Sequence, residues 1–134
     1  MEQLESLSTR KRKSAVRLTQ RSKIIKTIIT AIQEKKGDKI ISLDLRKIDE
    51  AVSDFFIICE AGSQPQVRAI ADHVEHLVKQ ECDETPYHSE GKQASQWVLI
   101  DYVNVVVHVM LHESREFYKL EEMWSDAPVE HYKE

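Results

Sequence analysis

Three groups of residues have the types and spacing for chemistry. Gly62-Ser63 sits between an apolar run and a helical pattern. Such a turn can hold a triphosphate while carboxylates on a neighbouring strand hold Mg²⁺. The carboxylates are not paired, however: Asp44 in SLDL and Asp101 in LIDYVNV each stand alone, with no Asp-x-Asp. A lone Gly-Ser turn also suits any tight strand-to-helix connection. His73 and His76 in DHVEH follow Asp72 on one helical pattern. They would bind zinc only if further ligands converged on them, and a solvated helix face is the better account. Cys59 lies in the apolar run FIICE and Cys82 near a helix end, with no CxxC spacing. Both read as reduced, structural thiols of a cytosolic chain. The expectation is no catalytic residue, no metal and no cofactor. The alternative is a nucleotide-binding or nucleotidyltransferase-like enzyme.

The residues that stand out are apolar. In WVLIDYVNVVVHVM, residues 97–110, two strands fold back on each other. With Val103-Asn104 as a two-residue turn, Trp97 pairs with Met110, Leu99 with His108 and Asp101 with Val106, all on one face. Val98, Ile100, Val107 and Val109 make the other face, a compact β-branched filling of the usual kind between sheet and helices. The Trp97 face is larger and softer, with an acid at one end. One reading makes it a second helix-covered core. The other makes it a docking surface, since interface centres favour Trp, Tyr, Met and Arg. On the docking reading Trp97 is the anchor, with Leu99, His108 and Met110 around it. Asp101, Tyr102 and Asn104 lie at the edge, and Arg115 and Tyr118 extend the surface from the next helix.

The elements that must position these residues follow from periodicity. Ile24, Ile25, Ile28, Ile29 and Ile32 line one face of a helix from Ser22, with Lys35 and Lys36 near its end and Gly37 as the expected left-handed stop. Residues 39–45 (KIISLDL) read as a strand, and KIDEAVS as a polar connection. DFFIICE is a second strand, apolar almost throughout and so expected at the centre of the sheet. Ser63-x-x-Gln66 is a capping box with Pro65 in the first turn, opening a helix striped by Val67, Ile70, Ala71, Val74, Leu77 and Val78. A loop over 84–95, with a short strand at 87–89, precedes the hairpin. HESREFYKLEEMWSDAP then predicts one helix with Phe117, Leu120 and Trp124 on a common side, closed by Pro128. Strand, glycine turn and helix together predict an α/β fold, a small mixed sheet flanked by helices.

The chain has 134 residues, 41% hydrophobic and 31% charged, which fits one globular domain at 21–128. No apolar run reaches the roughly 18–20 residues of a membrane span, and residues 1–20 lack the h-region of a secretory signal. The net charge of −4 is uneven, because residues 1–26 carry eight Lys or Arg against two acids. The basic N-terminal extension, 1–20, has no clean period and is expected to be mobile, either solvated or touching RNA phosphate. The acidic remainder should prefer a basic protein surface. Residues 129–134 are polar and read as a loose tail.

From about Ile24 to Pro128 the chain resembles the ribosomal silencing factor family, RsfS, also called Iojap or YbeB. The resemblance is carried by DKIISLDL, VSDFFIICEAGS, QVRAIADHVEHLVK, EG, WVLIDY, VVVHVM and SREFYKLEEMWSDAP, in order. It implies a small α/β domain related in fold to the nucleotidyltransferases without their catalytic carboxylates. It also implies binding to the large ribosomal subunit through ribosomal protein L-fourteen, which blocks joining of the small subunit and represses translation. A homodimer in the free state is implied as well. The chain departs at the hairpin tip, where the family commonly has Gly-Asp and this sequence has Val103-Asn104. β-Branched Val resists the positive φ such a turn asks for, so the turn must shift to 102–104 or change geometry.

Overall fold

The computed structural model describes residues 22–134, so the expectations for 1–20 lie outside the described residues. The elements are α1 (Lys23–Glu34), β1 (Asp38–Asp44), β2 (Phe55–Ala61), α2 (Gln64–Cys82), β3 (His88–Glu90), β4 (Trp97–Asp101), β5 (Val105–Leu111), α3 (His112–Tyr118), α4 (Leu120–Met123) and β6 (Val129–Tyr132). The strands form one mixed sheet in the order β3-β4-β5-β2-β1-β6. Only β2 and β5 run parallel, Phe55 opposite Val105 through Ala61 opposite Leu111. β2 is buried along its whole length, as its unbroken apolar run predicts for a strand covered on both faces.

The two faces bury different cores. On the first, α1 and α2 pack against Phe55, Ile57, Cys59, Val98, Ile100, Val105, Val107 and Val109. The five periodic isoleucines of α1 are all buried here, as their spacing predicts. α1 ends in a Schellman motif: the Gly37 N–H donates to the Ile32 carbonyl at 2.9 Å and the Lys36 N–H to Gln33 at 3.1 Å. The left-handed residue is Lys36, at φ 64°, rather than Gly37. Glycine is needed at 37 because a Cβ there would run into the Ile32 side chain. At the start of α2 the Gln66 N–H donates to the Ser63 hydroxyl at 3.3 Å, half of the expected capping box. The Gln66 amide turns away and donates to the Lys36 carbonyl at 3.0 Å, tying α2 to the end of α1.

The second core holds Leu43, Leu45, Phe56, Ile58, Trp97, Leu99, Val106, Met110 and Leu120, with Ile48, Val52 and Trp124 against it. Two segments cover it. One is 45–54, which contains the 47–53 run read from sequence as a polar connection and contributes Leu45, Ile48, Ala51 and Val52. The other is the C-terminal region, which is not one helix. Lys119 adopts φ 48° and splits it into α3 and α4, and the Lys119 N–H closes α3 on the Arg115 carbonyl at 2.9 Å. The break separates the expected stripe: Leu120 is fully buried, whereas Phe117 is 79% exposed. Residues 129–132 are not a loose tail. They form β6, which pairs antiparallel with β1 from Ile40–Tyr132 to Leu43–Val129. The Tyr132 hydroxyl and Ser42 Oγ lie 3.1 Å apart, and Gln33 Nε2 donates to the Lys133 carbonyl at 2.7 Å.

Candidate functional site

The β4–β5 hairpin has the register its alternation predicts: Trp97 opposite Met110, Leu99 opposite His108, Asp101 opposite Val106. Its tip reconciles that register with an unsuitable residue. Tyr102 N–H donates to Val105 O at 2.9 Å, and Asn104 N–H closes back onto Tyr102 O at 2.9 Å, a γ-turn centred on Val103 at φ 72°. For a β-branched residue this backbone is an outlier that persists only where its surroundings fix it. Asp101 supplies part of that hold, its carboxylate accepting from the Val103 N–H at 2.7 Å. The Asn104 carbonyl adds more, accepting from the Asp54 and Phe55 N–H groups at 3.0 and 3.2 Å. Asp101 is therefore an internal hydrogen-bond acceptor of a tight turn. Asp44, the other isolated carboxylate, is bound bidentately by Arg46 at 2.9 and 2.6 Å, which holds its carboxyl below the usual range.

The Trp97 face is a core. Trp97 is 5% exposed, and Leu99, His108 and Met110 are fully buried beneath the C-terminal segment. Trp97 donates its indole N–H to His108 Nδ1 at 3.0 Å, a diagonal pair across the hairpin. The ring proton of His108 is therefore on Nε2, which has no hydrogen-bond partner; the ring meets Phe56 edge-on at 4.6 Å. Burial without a countercharge pushes the His108 pKa down to about 3, so the ring is neutral. Tyr102 points the other way, into the α1–α2 core. Arg115 is also buried, so of the residues expected to meet a partner only Tyr118 and Asn104 reach solvent. An uncovered Trp97 face is thus corrected: the two long helices among the described residues both lie on the first face, but the 45–54 segment and the broken C-terminal helix close the second.

What remains on the outside is an aromatic cap. Tyr118, 40% exposed, packs over Trp97 with ring centroids 4.9 Å apart, and Phe117 meets Tyr118 edge-on at 5.0 Å. Beside them a groove of about 210 Å³ is lined by Gly91, Ala94, Gln96, Trp97, Ser114 and Tyr118. Gly91 shapes its wall: at φ 90° it lies so close to β4 that a Cβ would strike the Trp97 carbonyl. α3 and α4 carry Glu113, Glu116, Glu121 and Glu122 against Lys119 and the buried Arg115, so the segment that bears the aromatic patch is acidic. Sequence reasoning put Phe117 on a common side with Leu120 and Trp124 and did not single it out as a surface residue. Its exposure follows from the left-handed Lys119, for which a lysine gives no warning.

A second cluster lies where β2 and β5 end. Glu60, nearly buried, lies 2.5 Å from His112 Nδ1 and 3.3 Å from Arg115 Nη1. The Glu60 carboxylate raises the His112 pKa above its ordinary value. Arg115 donates its Nε to Glu121 at 3.0 Å and Nη1 to the Lys39 carbonyl at 2.7 Å. Elsewhere, His73 pairs with Glu34 at 2.7 Å and links α2 to α1. Among the described residues no group of three or more His, Cys, Asp or Glu could hold a metal ion. Burial drives the Cys59 thiol up to about 12, a thiol and not a thiolate. No helix of the described residues is long and apolar enough to cross a membrane.

Comparison with known proteins places these features in a family. The model of the family described as RsfS, ribosomal silencing factor during starvation, matches residues 19–134. The ribosomal silencing factor RsfS of Bacillus subtilis is 38% identical over 109 residues, 79% of this chain and 88% of that protein. A mouse protein named for mitochondrial assembly of the ribosomal large subunit is 38% identical over 78 residues, 54% of this chain and 33% of its own length. A crystal structure from Chromobacterium violaceum superposes with a TM-score of 0.72 at 36% identity, covering 76% of this chain and 83% of that one.

Proposed function

Because the chain belongs to the RsfS family of ribosomal silencing factors, we propose that it binds the large ribosomal subunit, keeps the small subunit from joining and so represses translation. Ribosomal protein L-fourteen is the contact the family resemblance implies. The mouse relative, named for large-subunit assembly, supports the choice of subunit.

The observation that carries the docking reading is the exposed Phe117–Tyr118 pair, rooted on Trp97 and borne on an acidic segment. Phe117, 79% exposed, touches the fold through the Tyr118 ring and leaves most of its own ring in solvent. Set on a rigid base and beside a groove, it is the kind of anchor that interfaces concentrate energy on. The acidic segment favours a basic protein and disfavours naked RNA phosphate. Trp97 then acts from below, as the platform that holds Tyr118. Activity by steric occlusion needs only residence on the subunit and no reacting group.

The test is sedimentation with purified subunits. The protein should travel with large subunits and not with small ones, and should reduce joined ribosomes in proportion to dose. Equal binding to both subunits would refute the proposal. Phe117→Ala should remain folded and lose large-subunit binding; unchanged binding would remove the aromatic cap from the interface.

A further inference from the structure

We infer that Arg115 is a positioning residue: one buried guanidinium that sets the angle between α3 and α4 and thereby presents the Phe117–Tyr118 patch. The inference rests on the docking reading above.

The geometry is specific. Arg115 and Glu121 are six positions apart, which in a continuous helix separates them by more than a turn and places them on different sides. They meet at 3.0 Å, Arg115 Nε donating to Glu121 Oε2, only because Lys119 breaks the helix at φ 48°. The other end of the guanidinium is fixed by the sheet. Nη1 donates to the Lys39 carbonyl at 2.7 Å and lies 3.3 Å from Glu60. Lys39 sits at φ 48° where the β1–β2 register shifts between Asp38 and Ile41. The carbonyl offered to Arg115 thus belongs to a β-bulge, a device that re-aims local groups.

One planar side chain therefore joins β1, β2, α3 and α4. Lysine could supply the charge but not the fork, since a single ammonium cannot keep separate N–H groups aimed at Glu121, Lys39 and Glu60. Phe117 and Tyr118 lie between Arg115 and the break, with Glu116 before them. Their direction is fixed by whatever fixes the break, and Arg115 spans it. Arg115, which the sequence places on the docking surface, is 7% exposed and reaches a partner only through them.

The experiment compares Arg115→Lys, Glu121→Gln, Glu122→Gln and Phe117→Ala for affinity to purified large subunits, below each variant's melting temperature. Acrylamide quenching of Trp97, beneath the cap, and Trp124, against the second core, is read alongside. Arg115→Lys and Glu121→Gln should each weaken binding roughly tenfold or more, about 1.4 kcal/mol, and increase tryptophan quenching while the protein stays folded. Glu122→Gln removes the same charge one residue on and should bind nearly as wild type. Should Arg115→Lys fail to fold, Glu121→Gln decides the question, since Glu121 lies at the open end of the network. Folded variants at Arg115 and Glu121 that bind with full affinity, while Phe117→Ala does not, would overturn the positioning role alone. Full affinity in Phe117→Ala would overturn the docking reading and this inference with it.

Discussion

Trp97→Ala separates a core role from a contact role. The indole lies between His108 and Tyr118, 95% removed from solvent, and donates one hydrogen bond. A tryptophan buries roughly 200 Å², and at about 25 cal/mol/Å² its removal forfeits about 5 kcal/mol of burial. Relaxation around the cavity and compactness of the unfolded chain reduce this, and observed Trp→Ala losses are about 3–5 kcal/mol. We expect about 4 kcal/mol, a large share of the roughly 5–15 kcal/mol available to a domain of this size. The melting temperature should fall by roughly 15 °C. Urea titration followed by far-UV circular dichroism measures the change, with the slope against urea checked so that a shift of midpoint is a shift of stability. Phe117→Ala, two residues beyond Arg115 and nearly free in solvent, should change stability by less than about 0.5 kcal/mol. A Trp97→Ala loss below about 1 kcal/mol would refute the burial argument, because no close-packed core releases an indole so easily.

The hairpin tip makes a second prediction. Asp101→Ala removes the acceptor of the Val103 N–H and should cost about 1.5–3 kcal/mol, measured by the same titration. His108 gives a pH dependence. Its folded pKa of about 3 lies below the unfolded value near 6.5, so its contribution is complete above pH 6.5 and is lost as pH falls toward 3. The slope over that window is at most about 1.4 kcal/mol per pH unit, and His108→Leu should flatten it in melts from pH 7 to pH 4. His112 acts oppositely: its raised pKa adds stability present below 6.5 and lost as pH rises through the folded value, so His112→Ala should remove a neutral-pH decline. Deleting residues 129–134 should uncover the edge of β1, lower stability by roughly 1–3 kcal/mol and promote self-association visible in sedimentation velocity.

Much of this architecture was legible in the sequence because its signals are local. The isoleucine spacing of α1, the unbroken apolar run of β2 and the alternation that sets the β4–β5 register each depend on nearby residues. What escaped depends on distant ones. VEHY has no alternation and becomes a strand only because β1 offers an edge. KIDEAVS reads as polar, yet its few apolar residues suffice to close the second face once the sheet lies beneath them. The break at Lys119 is enforced by Arg115 contacts with Lys39 and Glu60, more than fifty residues away in sequence. Trp97, Leu99, His108 and Met110, read from their types as an open face, are buried because segments distant in sequence cover them, and Tyr118, read as surface, does reach solvent.

The order of strands also has a kinetic consequence. β1 is made early, but its outer partner contains Tyr132, ninety positions beyond the Ser42 it meets. β2 likewise waits for β5, fifty positions on, and its parallel pairing cannot be nucleated by a tight turn. Loop closure over such spans must precede any gain from pairing, so the centre and one edge of the sheet assemble late. The β4–β5 hairpin, closed locally by Val103 and Asn104, has no such delay and is the natural nucleus. Folding in the millisecond-to-second range follows, with amides of β4 and β5 protected before those of β1 in pulsed hydrogen exchange.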